Sequence, residues 1–261
     1  MDKIRDSWVS LALFASLLVP VYFLIASLGT KFGVFDWTVG FGQMTYVWGV
    51  RVLGAAALLA LIALLLALFV SPRRGIASAL VALAIPLAGI GYGAYVRNAT
   101  QGIPPIHDIS TDLSDPPAFS QAVIDARAAV PQANDLDLLN KRTGDGRAFI
   151  DLQRQAYGDI VPIETPVAPG MAWDMALALA QEQGWEIGRT DSDAGVIEAT
   201  ATSFWYGFVD DIVIRVRATE QGSRLDMRSV SRVGRSDIGA NAARMRPYLA
   251  ELRARLEAEG A

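Results

Sequence analysis

Hydrophobic positions are distributed in two distinct ways along this chain. Up to residue 96 they come in three long runs, at 8–28, 47–70 and 76–96, each near the ~20 residues that cross a hydrocarbon core about 30 Å thick. After residue 97 they alternate with polar residues at short periods. The first third therefore reads as three transmembrane helices (1–97), followed by a proline-containing linker (98–105) and an extramembrane domain (106–261). Lys3 and Arg5 precede the first run, but that run is too long for a typical signal core and lacks a clean small-x-small site. An uncleaved helix is expected, kinked at Pro20. The stretch 29–46 is aromatic and broken by glycines, and is expected to lie in the interface or fold back between helices. Gly89 and Gly93 form a small-xxx-small spacing that is common by chance in a Gly/Ala-rich span.

Within the domain the clearest helical period covers 169–183, with Met171, Met175 and Leu179 on one stripe and Gly184 as its stop. Four extended segments follow, at 185–190, 196–203, 211–219 and 224–233, with Gln221-Gly222 as a hairpin signal. A last helix is expected over 237–257, interrupted near Pro247. Weaker signals place helices at 118–129, behind the capping sequence Ser114-Asp115-Pro116-Pro117, and at 147–157, with an extended piece at 160–163. This order predicts a two-layer α+β domain with a mostly antiparallel sheet of four to five strands packed by helices. Period-two alternation puts Ile197, Ala199, Ile212, Ile214, Val216, Leu225 and Met227 toward the helices. It leaves Glu198, Arg215, Arg217, Arg224, Asp226, Arg228 and Arg232 on a face expected to be open.

Composition narrows the function. The chain of 261 residues is 52% hydrophobic with mean hydropathy +0.30, and the excess lies in the N-terminal third. A net charge of −4 disfavours nucleic acid as a partner. With no cysteine and one histidine, thiolate chemistry, disulfides and two-histidine mechanisms are excluded, and no cofactor or metal is expected. Lys3, Arg5, Arg73 and Arg74 fall on one side of the membrane, against Lys31 and Arg51 on the other. The basic side is read as cytoplasmic. Three crossings then put the domain outside, in the periplasm if the membrane is a bacterial inner membrane.

Several collinear stretches carry a resemblance: 104–112 (PPIHDISTD), 155–160 (QAYGDI), 195–199 (GVIEA), 208–215 (FVDDIVIR), 226–234 (DMRSVSRVG) and 237–241 (DIGAN). Over about 103–257 the chain resembles the domain of unknown function family 1499, with Gly158 where proline is expected. The resemblance implies a bacterial or photosynthetic-eukaryote setting. It implies no activity and no catalytic residues.

The candidate site is the arginine-serine run Arg228, Ser229, Ser231 and Arg232, with Arg215, Asp210, Asp211 and Asn241 beside it. Arginine forks and hydroxyls suit phosphate or carboxylate. Cross-strand pairing of the arginines with Glu198, Asp210, Asp211 and Asp226 is the simpler alternative and is favoured. Asp210-Asp211 with Asp108 and Asp112 lacks the spacing of a cation loop, and His107 is expected to be an exposed linker residue. The cluster 204–208 (FWYGF) is either a docking tip or a cover for the end of the core. The function expected is a membrane-anchored, non-enzymatic envelope protein whose partners are the lipid bilayer and an anionic small molecule, lipid or envelope protein. The competing expectation is a hydrolase or lyase using Asp210, Asp211 and the arginines.

Overall fold

The computed structural model describes residues 2–260. The chain divides into two units. One comprises Met1–Gln101 with Phe204–Gly207, and the other Gly102–Ser203 with Phe208–Ala261.

The first unit holds three helices long and apolar enough to cross a membrane: α1 (Asp2–Lys31), a run formed by a π-helix (Thr38–Trp48) continuing into α2 (Gly49–Phe69), and α3 (Ile76–Ala99). Most of the glycine-broken stretch 29–46 is helical, with the part from Thr38 wound at the wider π spacing. The apolar helix α2 has two faces. Ala56, Ala60, Ala63 and Ala67 are buried, while Leu58, Leu61 and Leu65 point outward. Small residues bring helix backbones together, and the larger ones are left for lipid. A Cβ on Gly89 would meet the Leu53 side chain at 2.5 Å, whereas one on Gly93 would meet nothing within 4 Å. The glycine spacing is therefore a single contact rather than a motif. Arg5, buried in α1, donates to the carbonyls of Val70 and Pro72, so the basic N-terminus and the Arg73-Arg74 turn lie at one end of the unit.

The second unit follows the α+β plan. Its elements are β1 (Asp108–Ser110), α4 (Gln121–Ala128), α5 (Phe149–Ala156), β2 (Ile163–Thr165), α6 (Pro169–Glu182), β3 (Glu186–Asp191), β4 (Val196–Thr202), β5 (Val209–Thr219), β6 (Gly222–Ser231) and α7 (Ala240–Gly260). The sheet is antiparallel with six strands in the order β1-β6-β5-β4-β3, and β2 also pairs with β6. Both short strands share the outer edge of β6, which raises the count above the four or five expected. The Glu220-Gln221 turn sets the β5–β6 register, with Thr219 opposite Gly222. Gly195, at φ +66°, lets the β3–β4 turn approach β5. Its carbonyl accepts from the Val216 amide at 2.7 Å, and a Cβ there would meet the Val216 carbonyl oxygen.

The main core lies between one face of the sheet and α5, α6 and α7. It includes Ile197, Ile212, Ile214, Leu225, Met227, Met245, Tyr248 and Leu252. The Tyr248 hydroxyl donates to the Ala176 carbonyl at 2.7 Å, linking α7 to α6. The α7 helix runs through Pro247 and begins at Ala240, because the Asp237 carboxylate caps it by accepting from the amides of Gly239 and Asn241.

The other face of the sheet is covered, not open. Phe119 with Val213 and Val230 forms a second small core, with Val123, Leu136 and Val196 against it. The helix expected from Ala118 starts only at Gln121. Asp112 holds the Ser114 and Asp115 amides in a turn, and Pro116-Pro117 keep the chain extended. This extended stretch crosses the face on which exposed charges were expected.

Candidate functional site

The eight candidate residues separate into two groups of four on opposite sides of the sheet. Asp211, Arg215, Arg228 and Arg232 lie on the covered face. Asp210, Ser229, Ser231 and the α7 residue Asn241 lie on the helix face. Period-two alternation makes the split unavoidable, since Asp210 and Asp211 are neighbours on β5 and Arg228 and Ser229 are neighbours on β6.

On the covered face every candidate arginine is bound to a carboxylate. Arg228 makes a bidentate pair with Asp108 at 2.9 and 2.8 Å and donates to the Leu136 carbonyl at 2.7 Å. Both side chains are buried, and the Arg228 guanidinium lies 5.5 Å from the Phe119 ring centroid. Lys141 stands 3.6 Å from the same Asp108 carboxylate. Arg232 grips Asp211 at 2.7 Å, and Arg127 of α4 reaches the other oxygen at 2.6 Å. Asp226, with no exposed surface, takes Arg215 at 2.9 Å, Arg217 at 2.8 Å and Arg224 at 3.2 Å. Asp112 and Asp115 complete that cluster by binding Arg224 and Arg217. Burial pushes the Asp112 carboxyl up, but hydrogen bonds from Ser114 and from the Ser114 and Asp115 amides, with the Arg224 charge, outweigh it and hold the group well below the usual range. Glu198 receives the Ser120 hydroxyl at 2.6 Å at the start of α4.

On the helix face the groups form a buried hydrogen-bonded network. The Ser229 hydroxyl donates to Asn241 Oδ1 at 2.6 Å, and Asn241 Nδ2 donates to the Ser231 hydroxyl at 3.0 Å and the His107 carbonyl at 3.2 Å. Arg244, one turn further along α7, reaches Asn241 Oδ1 at 2.8 Å and pairs with Asp210 at 2.6 Å. Asp237 lies beside this network. Its burial pushes its carboxyl up, and the Asp210 charge adds to the rise against the hydrogen bonds of Asn241 and Gly239.

His107 is buried, correcting the expectation of an exposed linker residue. β1 ties its flank into the sheet, and the ring stands edge-on to Phe149 with centroids 5.0 Å apart. Nδ1 lies 3.3 Å from the Arg235 carbonyl, while Nε2 has no hydrogen-bond partner among the described residues. Burial, then the Lys141 charge, hold its pKa below the usual value. A three-residue strand carries too little pattern to be read, so Asp108 was missed as the partner of Arg228. Arg244 could have been found, because it follows Asn241 at the i,i+3 spacing of a shared helix face.

An open pocket of about 320 Å³ lies at the start of α6, lined by Gly170, Trp173, Ser192, Asp193 and Arg217 among others. Arg217 is already engaged by Asp115 and Asp226, and Asp193 adds a negative charge. Among the described residues no group of three His, Asp or Glu side chains is placed to hold a metal ion.

Residues 108–252 match the family described as protein of unknown function (DUF1499). The chain belongs to the DUF1499 family. A search of curated proteins finds no match. The family match begins at β1 and ends within α7, so it takes in the whole sheet, the segment covering it and the Asn241–Arg244 turn. Among the described residues, three helices long and apolar enough to span a membrane precede the matched region.

Proposed function

We propose that this DUF1499 protein is anchored in a bacterial inner membrane, presents its domain to the periplasm, and works by binding an envelope partner rather than by catalysis. The spans and the basic residues at one end, Lys3, Arg5, Arg73 and Arg74, support the orientation. The observation that carries the non-catalytic reading is the fate of Asp210 and Asp211. They point to opposite faces of the sheet, and each is held by arginine, Asp210 by Arg244 and Asp211 by Arg127 and Arg232. A hydrolase or lyase built on this pair needs both carboxylates facing one substrate, which the strand geometry opposes. Ser229 likewise donates to an amide oxygen rather than to a base. The arginines that suit an anionic ligand serve as counter-ions inside the domain. Binding is therefore assigned to surfaces outside this paired interior.

Two measurements test the reading. Alkaline phosphatase fused after Ala261 is expected to be active and a fluorescent protein there dark; the reverse pattern removes the periplasmic assignment. Native mass spectrometry of the detergent-solubilised protein is expected to retain lipid or a protein partner without metal. Metal-dependent turnover of a phosphorylated envelope compound would instead establish the hydrolase.

A further inference from the structure

Residues Phe204–Gly207 belong to the first unit, so the chain returns to it long after leaving at Gln101. The return is held by specific bonds. The Ser27 hydroxyl donates to the Trp205 carbonyl at 2.9 Å, and the Lys31 ammonium donates to the Phe204 carbonyl at 2.8 Å. The Tyr206 and Thr45 hydroxyls are 2.7 Å apart, and the Tyr206 ring stands edge-on to Phe41 at 5.1 Å. Two tip carbonyls are thus satisfied by α1, and Tyr206 is tied to the π-helix. The remaining rings are turned outward: Phe204 is 71% exposed and Trp205 54% exposed.

Their position along α1 says what they meet. Between Asp6 and Lys31 that helix carries no charge, so Lys31 marks where it leaves the hydrocarbon. The Lys31 ammonium lies 4.6 Å from the Phe204 ring centroid. On the π-helix run, Tyr46 and Trp48 are also exposed, and Arg51 stands 5.1 Å from the Trp48 ring centroid. Aromatic rings beside lysine or arginine at the ends of apolar spans are the chemistry of the headgroup zone, where a ring's apolar body and polar edge are both accommodated. A protein partner fits less well. Two aromatic side chains bury about 150–250 Å² each, short of the ~800 Å² per partner of a stable interface.

We propose that Phe204 and Trp205 are seated in the lipid headgroup zone, continuous with the lipid-facing belt of the spanning helices, and form a second point at which this chain engages the bilayer. The proposal rests on the three spans crossing a membrane, and the test separates the two ideas.

The chain has no cysteine, so single cysteines can be introduced and spin-labelled in the full-length protein. The sites are Phe204→Cys, Trp205→Cys, Leu58→Cys on the outward face of α2 and Asp193→Cys in the β3–β4 turn. The labelled proteins are placed in vesicles of phosphatidylethanolamine and phosphatidylglycerol. Collision with oxygen, which concentrates in lipid, is compared with collision with a water-soluble nickel chelate. Labels at 204 and 205 are expected to read at headgroup depth, between Leu58 in the hydrocarbon and Asp193 in water. Readings equal to those at Asp193 overturn the proposal while Leu58 still supports the spans. Low access to both reagents at 204 and 205 means that protein covers the rings, which also overturns it. An aqueous Leu58 removes the membrane reading itself and the proposal with it.

Discussion

The two faces of the β-sheet are buried by opposite means. On one, aliphatic and aromatic side chains meet α5, α6 and α7 in a continuous apolar core. On the other, the chain between Asp112 and Lys141 lies over arginines and aspartates, with only Phe119, Val213, Val230 and a few neighbours as apolar filling. The first face is stabilised without directional bonds and tolerates changes that keep volume. The second depends on each charge finding its partner, since a buried charge left alone is far more costly than a missing methyl group. The difference explains why a charge-rich strand such as β6 belongs to the interior and why its arginines are poor candidates for an external anion.

The sharpest way to break the comparison is to remove one charge from the covered face. Arg228→Ala leaves the fully buried Asp108 with Lys141, 3.6 Å away, as its remaining cation. The expected loss is about 3–5 kcal/mol, comparable with the lower end of ordinary domain stability. Met245→Ala, in the apolar core and equally buried, is expected to cost about 2–5 kcal/mol by cavity formation. The two separate in their rescue. Converting Asp108 to leucine in an Arg228→Met background is expected to recover most of the loss, because it removes both charges together. Chemical denaturation of the four variants measures this. If Arg228→Ala loses less than about 1 kcal/mol, the pair behaves as a surface bridge and the contrast between the faces collapses.

A smaller effect sharpens the helix face. Asn241 is fully buried, accepts from Ser229 and Arg244, and donates to Ser231 and the His107 carbonyl. Asn241→Ala strands these groups at about 1–3 kcal/mol for an unsatisfied buried partner, with Arg244, its side chain 18% exposed and still paired with Asp210, the least affected. The expected sign is a fall in melting temperature with the sheet intact by circular dichroism. If Asn241 instead contacts a ligand, bound mass per folded molecule falls with it. Unchanged ligand content leaves the residue as scaffolding.

Much of this was legible in the sequence where elements are long. The spans, α6, the four long strands and α7 carry their periods over enough residues to be read. Strands β1 and β2 are three residues each, too short for a period-two signal, and they add the outer edge of the sheet. The covering of the charged face was illegible for a different reason. Arg224, Asp226 and Arg228 alternate with Leu225 and Met227 just as a solvated face would, and residues 130–136 have no period to announce that they lie on it. The balance of signs was the available clue: Asp108, Asp112, Asp211 and Asp226 supply the carboxylates that Arg127, Arg215, Arg217, Arg224, Arg228 and Arg232 require. The candidate residues were expected together at a binding site, with the arginines on an open face; six of the eight are buried, Arg215 and Arg232 are partly exposed, and the two-sided strand separates them into two structural systems.

The smallest effect concerns His107, which adjoins both systems. Its carbonyl belongs to the Asn241 network, and Asp108, next in sequence, holds Arg228 on the other face. Its ring faces Lys141, which opposes protonation, and Asp108 and Asp135, which favour it; burial and Lys141 prevail and the pKa is lowered. The hydrogen bond from Nδ1 to the Arg235 carbonyl also favours protonation, but a proton on Nε2 finds no acceptor among the described residues, in keeping with the lowered value. A histidine with a depressed folded pKa contributes stability that is fully present above its unfolded value, about 6.5, and is lost as pH falls through its folded value. The full-length protein in nanodiscs is therefore expected to lose stability on going from pH 7 toward pH 5. Asp237, with its raised pKa, acts in the opposite direction over the carboxylate range, so the comparison is made against His107→Gln, which keeps a hydrogen-bond donor and cannot titrate. Hydrogen exchange of the β6 amides at several pH values reads the difference. A steeper fall in protection for the native protein than for His107→Gln is the expected result. Parallel curves would mean that the imidazole is protonated without penalty and that its surroundings open to water.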